Sequence, residues 1–474
     1  MSVKPEGTGQ EIQPETEAIL NRAESLQRGL DVSFRDHVVE SIYQDAESIS
    51  QRVIKTTDTQ SYQLDQRIDR IVTSRLWGLP VMAGILAIVF WVTIEGANVP
   101  SAMLADAMFW FEDLGSGFFE SLGLPWWITG FVWHGVYRGL AWVISVMLPP
   151  MAIFFPIFTI LEDLGYLPRV AFNVDALFKK SGAHGKQALS MTMGLGCNAA
   201  GVVACRVIDS PRERLIAILT NNFMPCNGRW PTLIMLASIF VAAAFPPVLA
   251  AAAAATSLVL IVIIGGLITL LVSSVLSRTV LQGEASSFTL ELPPYRRPNI
   301  LRVFYTSIID RTLFVLWRAI VMAIPAGALI WILSNVTVGD SSLTTIISGW
   351  LDAPGHAIGL DGVILLAYII AIPANEIVVP TILMAYTQAD KMFELDSMSE
   401  LQDLLVGQEG WTLLTAVCLM LFSLLHNPCS TTIWTIYQET KSIKWSAVSG
   451  LMPLAIGIIV CFAVAQITRA IVGG

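Results

Sequence analysis

The chain has 474 residues, 54% of them hydrophobic and only 14% charged, with a mean hydropathy of +0.64. Soluble domains carry about 25% charged residues, so the composition excludes an ordinary soluble enzyme and predicts a polytopic membrane protein. The net charge of −9 gathers in the polar ends and loops and offers nothing to nucleic acid.

Residues 1–75 read as a cytoplasmic, acidic, helical N-terminal arm. Its opening, "MSVKPEGTGQEIQPETEAIL", lacks the apolar core of a cleaved signal peptide. Val, Ile and Tyr recur at helical spacing over 31–55, which predicts short amphipathic helices. Residues 76–126 follow as a first transmembrane helix, beginning in "GLPVMAGILAIVFWVTI", and an external amphipathic segment. A second run of bilayer-crossing length, about 20 residues, is "AAAAATSLVLIVIIGGLITLLV" at 251–272.

Basic residues set the expected topology. Lys and Arg cluster at 67–75, 169–186, 206–214, 278–318 and 441–444. None falls between Arg75 and Arg138, between Arg229 and Arg278, or between Arg318 and Lys391. The positive-inside rule places the clusters and the N-terminus in the cytoplasm, in a multi-pass protein of the cytoplasmic (inner) membrane. The acidic stretches 96–126, 336–361 and 389–410 then lie outside.

On this topology two apolar runs are too short to cross and return. Residues 187–205 sit between two cytoplasmic segments and are interrupted at "GLGCNAAG", which predicts a re-entrant hairpin turning at Gly194–Asn198. Residues 362–388 sit between two external segments and are interrupted at "IPANE", which predicts a hairpin entering from the other side. A broken helix follows each: "NNFMPCNGRWPTLIML" at 221–236 and "LLHNPCSTTIWTIY" at 424–437. The order span, hairpin, broken helix, span therefore occurs twice, as gate repeat 1 over 127–277 and gate repeat 2 over 312–470, joined by a cytoplasmic linker over 278–311. The fold class is an all-α polytopic membrane protein with two inverted gate repeats. Interruptions at corresponding positions of inverted halves point to a transport site at the midplane.

A helix break in lipid leaves backbone groups unpaired unless they line a cavity or find partners. The side chains at the four breaks are Cys197 and Asn198, Cys226 and Asn227, Asn375 and Glu376, and Cys429 with its neighbours His426, Asn427, Thr431 and Thr432. A carboxylate at membrane depth, here Glu376, marks a functional site. Thiols mixed with amide oxygens and one carboxylate argue against Mg2+ or Ca2+ and suit Fe2+, Zn2+ or Cu+. His426 reads as a hydrogen-bonding residue at a helix end rather than a ligand. Cys418 and Cys461 read as small packing residues, and so, less clearly, does Cys205. "SGAHGKQAL" at 181–189 lacks the spacing of a phosphate loop. With no such loop elsewhere, the chain reads as a transporter and not an enzyme.

These same stretches resemble the ferrous iron transport protein B family. "LEDLGYLPRVAFNVDALFKKSGAHGKQALSMTMGLGCN" (161–198) and "RERLIAILTNNFMPCNGRWP" (212–231) resemble its first gate region. "ELPPYRRP" (291–298) is similar to its connecting loop, and "IPANEIVVPTI" (372–382) with "NPCSTTIWTIYQETKSIKW" (427–445) to its second gate region. The resemblance covers roughly residues 62–470. It implies Fe2+ as the transported substrate with no permanently bound cofactor. It also implies roles in the pathway for Cys197 and Cys429, and less firmly for Cys226 and Glu376. The chain differs in reading "GCNAAG" where the family has Gly-Cys-Asn-Val-Pro, and in Asn375 where the family has a lysine. No stretch resembles the family's N-terminal G-protein domain. The expected partners are thus the bilayer and either a trans-acting G protein or a small cytoplasmic iron-transport accessory protein, with self-association into a homo-oligomer left open. The residues leave two other readings open: a gate-type carrier of a nucleoside or another small organic solute, and a non-transporting partner of another carrier.

Overall fold

A computed structural model of the chain describes residues 22, 33–53, 59–74, 76–283, 294–339, 341–389, 391–393 and 397–472. Most of the acidic arm before residue 33, and the part of the connecting loop up to residue 293, lie outside the described residues.

Among the described residues six helices are long and apolar enough to cross a membrane: Gly78–Ser121, Trp126–Asp163, Val248–Arg278, Ile300–Asn335, Leu413–Thr440 and Ile443–Ile471. The first, third and last bury only 17%, 28% and 22% of their apolar windows, against 56% for Trp126–Asp163 and 61% for Leu413–Thr440. The first group therefore lies at the periphery and the second forms the interior. Gly78–Ser121 runs unbroken for 44 residues through Pro100. At 1.5 Å per residue it is about 66 Å long, roughly twice the hydrocarbon thickness.

The repeated order seen in the sequence is the architecture. The first repeat runs from span Trp126–Asp163 through hairpin 1 (Gln187–Gly196 and Asn198–Ala204) to a broken helix (Pro211–Thr220, then Trp230–Leu236) and span Val248–Arg278. The second runs from span Ile300–Asn335 through hairpin 2 (Gly362–Ile370 and Val378–Thr387) to the broken helix Leu413–Leu425 and Ser430–Thr440, and then Ile443–Ile471. One element in each half goes beyond the sequence reading. A helix precedes each hairpin, Tyr166–Lys180 in the first half and, within the acidic stretch 336–361, Leu343–Ala357 in the second. Leu343–Ala357 meets Gly362–Ile370 at a bend of 110°.

Both hairpins return to where they start. In hairpin 1 a Cβ on Gly201 would lie 2.8 Å from the Ser190 carbonyl, so the outgoing helix packs backbone to backbone against the incoming one. In hairpin 2 the Tyr386 hydroxyl donates to the Asp361 carboxylate, joining its last turn to its first residue. The hairpins also enter from opposite ends. Arg138, near the start of the first span, donates to the Met392 carbonyl just beyond hairpin 2. Glu162, at the far end of the same span, pairs with Arg311 beside the mouth of hairpin 1. These residues stand about 36 Å apart along the helix at 1.5 Å per residue.

The two leading spans cross at glycines. A Cβ on Gly139 would lie 2.8 Å from Gly327 Cα, and one on Gly327 would lie 2.4 Å from the Gly135 carbonyl oxygen. Small residues permit such approach, and packing is the main force between helices in lipid. Gly327→Leu is therefore expected to cost on the order of 1–3 kcal/mol by overpacking. It should appear as a lowered Tm with unchanged expression of the unfolded chain.

The arm helix Thr59–Val72 is fastened to the first repeat. Arg169, 1% exposed, grips the Asp69 carboxylate with Nε at 2.9 Å and Nη2 at 3.1 Å, and its guanidinium lies 4.0 Å from the centre of the Tyr295 ring. The Tyr295 hydroxyl also donates to Asp69, at 2.8 Å. Burial opposes ionisation of Asp69, but the Arg169 guanidinium and Tyr295 hydroxyl outweigh it and hold the carboxyl below its usual range. A carboxyl depressed in the folded state stabilises above its unfolded value, about 3.9, and that contribution is lost as pH falls through the folded value. The arm is thus expected to stay docked at neutral pH and release in strong acid. Asp69→Asn should expose it to limited proteolysis already at pH 7.

Candidate functional site

Hairpin 1 turns on the single extended residue Cys197, and hairpin 2 turns over 371–377, where the extended residue Ala374 precedes a short 3-10 turn at Asn375–Ile377. Cys197 has φ −152° and ψ 122°, and Ala374 has φ −152° and ψ 114°. This shared geometry aligns Cys197 with Ala374, Asn198 with Asn375, and Ala199 with Glu376. The Pro-Cys pairs align likewise: Cys226 (φ −85°, ψ 171°) and Cys429 (φ −62°, ψ 156°) each precede a resumed helix. Cys226 and Cys429 are therefore symmetry mates, whereas the Cys197 thiol and the Glu376 carboxyl each occur on one side only.

The four breaks meet. Cys197, Asn198, Cys226, Asn227, Asn375, Glu376 and Cys429, the seven residues singled out in the sequence, all line one cavity of about 30 Å³, together with Thr431 and the apolar wall of Met147, Val315 and Ala319. A water needs roughly 10–15 Å³ of such space, so the cavity holds an ion or a couple of waters. Cys197 and Cys226 are each 8% exposed and Cys429 is half-buried. Among the described residues no three His, Cys, Asp or Glu side chains stand close enough together to hold a metal ion. The thiols and the carboxyl line the cavity without converging.

Hydrogen bonds hold the breaks open. With its nitrogen turned toward them, the Asn198 amide donates to the Gly194 and Met224 carbonyls at 3.0 and 3.2 Å. Asn221 Nδ2 donates to the Asn198 carbonyl at 3.0 Å. The Ser430 amide donates at 2.8 Å to the Ile372 carbonyl, tying the second broken helix to the tip of hairpin 2. The Asn375 amide lies between His426 Nε2 at 3.2 Å and Cys226 Sγ at 3.9 Å, linking the two repeats. His426 Nδ1 sits 2.9 Å from the Ser423 carbonyl and 3.1 Å from that of Phe422. The imidazole thus orients Asn375 from behind and does not line the cavity. Gly228 is bare for a reason: a Cβ there would stand 2.4 Å from Glu376 Oε1. Cys418 and Cys461 pack against each other away from the cavity, with Cys461 Sγ 3.3 Å from the Cys418 carbonyl.

One residue of the site was not singled out from the sequence. Arg229, which reads there only as a charge bounding an uncharged stretch, is 1% exposed in the middle of the protein. Its Nη1 donates to the carbonyls of Asn222 at 3.0 Å and Leu424 at 2.9 Å, and its Nη2 to those of His426 at 3.3 Å and Asn427 at 3.5 Å. One guanidinium so satisfies carbonyls freed at the broken helices of both repeats. The available signal was an arginine two residues past Pro-Cys-Asn inside an apolar run, where a cation is affordable only with such partners.

Inverted hairpins whose tips meet at a small cavity lined by thiols, amides and one carboxyl define a gate-type polytopic membrane protein. The comparisons agree. A family model described as "Gate: Nucleoside recognition" matches residues 144–240 and 316–443, and one described as "Ferrous iron transport protein B C terminus" matches 258–310. The membrane region of this chain is similar to that of the ferrous iron transport protein B family. A protein named "Fe(2+) transporter FeoB" from Staphylococcus aureus strain MSSA476 is 27% identical over 445 residues, covering 91% of this chain and 62% of its own length. The one from strain COL is 28% identical with the same coverage, and one from Legionella pneumophila is 26% identical over 488 residues, covering 91% and 63%. The chain thus spans a little under two thirds of the length of these relatives. No solved structure matches it.

Proposed function

We propose that this chain carries Fe2+ across the cytoplasmic membrane through the cavity between the hairpin tips, with the basic end of the molecule and the N-terminal arm in the cytoplasm. The observation that carries the reading is the lining of that cavity: thiols from both repeats, amides from both repeats and one carboxyl, around space for a single ion. Soft sulfur beside neutral amide oxygen suits Fe2+ over Mg2+ or Ca2+, and few charges favour release as well as binding. The relatives' printed name, Fe(2+) transporter, supports the same cargo. Cys197, Asn198, Cys226, Asn227, Asn375, Glu376 and Cys429 are its proposed contacts, and Arg229 and His426 position the breaks that present them. Because the ligands do not converge here, binding draws the hairpin tips together. Passage to either face then follows from movement of one repeat against the other.

The description of the gate model as nucleoside recognition favours a second reading, a nucleoside carrier. Ligand pockets for organic molecules run to about 300–1,000 Å³, an order of magnitude above the 30 Å³ found here. Uptake by proteoliposomes holding this chain separates the two, with Fe2+ kept reduced by ascorbate and Zn2+, Mn2+ and uridine in parallel. Fe2+ entry above protein-free vesicles, with no uridine entry, is the expected result; uridine entry without Fe2+ would replace the reading.

A further inference from the structure

A second cavity, of about 640 Å³, opens between the repeats at the basic end of the molecule. It adjoins the ion cavity through Val315, which lines both. Charge sets it apart. Arg206, Arg311, Arg318 and Lys441 line it against only two carboxyls, Glu162 and Glu439. Both carboxyls are taken: Glu439 by Arg206 at 2.6 Å and Glu162 by Arg311 at 2.9 Å. Among the described residues neither Arg318 nor Lys441 has a carboxylate within ion-pair range. Arg318 is held by neutral partners, donating to Thr435 Oγ1 at 2.8 Å and to Gln438 Oε1, with its guanidinium 4.0 Å from the centre of the Phe314 ring. Its planar fork is thereby fixed at the inner wall of the chamber, one residue before Ala319 of the ion cavity.

Surplus positive charge on the way out of a cation site repels a bare dication and attracts an anion. We propose that this vestibule binds a small multivalent oxyanion, a polycarboxylate or a phosphate group, between Arg318 and the mouth residues Arg206, Arg311 and Lys441. Arginine forks match carboxylate and phosphate oxygens in pairs. The bound anion offsets the local charge and presents hard oxygen ligands one step beyond the thiols, so it serves as acceptor for the ion leaving the midplane. That acceptor role rests on the transport reading; the binding site itself does not.

The test is calorimetric titration of the full chain in neutral phosphatidylcholine nanodiscs, free of metal, with citrate and with inorganic phosphate. A single saturable site is expected, weakened at least fivefold by Arg318→Gln and by Lys441→Gln. Lys441 is exposed, so its variant carries the test if Arg318→Gln fails to fold. Repeating the titration in phosphatidylglycerol nanodiscs identifies the source of the anion. Unchanged citrate affinity assigns the site to a soluble anion, and citrate binding weakened tenfold or more by competition assigns it to a lipid headgroup; either outcome supports the site. No binding of either anion in neutral nanodiscs, or binding that both variants leave intact, overturns it. Because no metal is present, failure here leaves Fe2+ transport standing, and failed Fe2+ uptake leaves the anion site standing.

Discussion

On the proposed transport function, Cys429→Ser is expected to lower Fe2+ uptake roughly tenfold, the equivalent of about 1.4 kcal/mol of lost ion interaction, while the protein remains folded. Serine has nearly the volume of cysteine but offers a hard oxygen where Fe2+ gains from soft sulfur. Cys429 is half-buried at the cavity wall and its Sγ lies 3.3 Å from Thr432 Oγ1, a contact a serine hydroxyl can keep. Little stability is therefore at stake. Cys197→Ser is expected to act as strongly, because the aligned position on the other hairpin is Ala374 and no symmetry-related thiol can substitute. Cys461→Ser is the control: that thiol is buried, does not line the cavity and donates to the Cys418 carbonyl, so uptake should hold. Uptake rates normalised to monodisperse protein decide the matter. Wild-type rates in both cavity variants would remove the thiols from the pathway.

Arg229→Met acts on the fold itself. It removes the donor shared by the carbonyls of Asn222, Leu424, His426 and Asn427, the first three on buried residues and the last on a half-buried one. Leaving a buried polar group unpaired costs about 1–3 kcal/mol. Even if some of the four find new partners, the total approaches the whole stability of an ordinary protein, about 5–15 kcal/mol. Little or no monodisperse protein is expected on size-exclusion chromatography. Arg229→Lys should recover part of the fold, since an ammonium can reach fewer of the four carbonyls than a fork. A variant with methionine that keeps the wild-type Tm would mean that the breaks are held by something else.

The architecture was legible because apolar spans are long, cheap to recognise and punctuated by few residue types. Gly194, Gly196, Asn198, Pro373 and Asn375 interrupt runs too short to cross twice, and charge fixed their sidedness. Burial and long-range pairing were not legible. Arg229 reads as a boundary charge because sequence spacing does not reveal that the breaks at 222–226 and 424–427 stack on each other. The helices Tyr166–Lys180 and Leu343–Ala357 were missed since their polar faces resemble loop composition once a re-entrant hairpin, rather than a span, follows. The match of Cys197 to Ala374 rests on backbone angles, which "GLGCNA" and "AIPANE" do not spell out. The basic vestibule draws on residues from 162 to 441 and exists only once the repeats are packed.

The central claim is that the cargo ion meets sulfur from both repeats. Optical titration of the purified chain with Co2+ tests it directly, since cobalt bound to thiolate absorbs in the near ultraviolet and cobalt bound to oxygen and nitrogen alone does not. Saturable thiolate absorption is expected in the wild type, displaced by Fe2+ and lost in the Cys197→Ser, Cys429→Ser double variant. Saturable Co2+ binding without that absorption, or the same absorption in the double variant, would contradict the account.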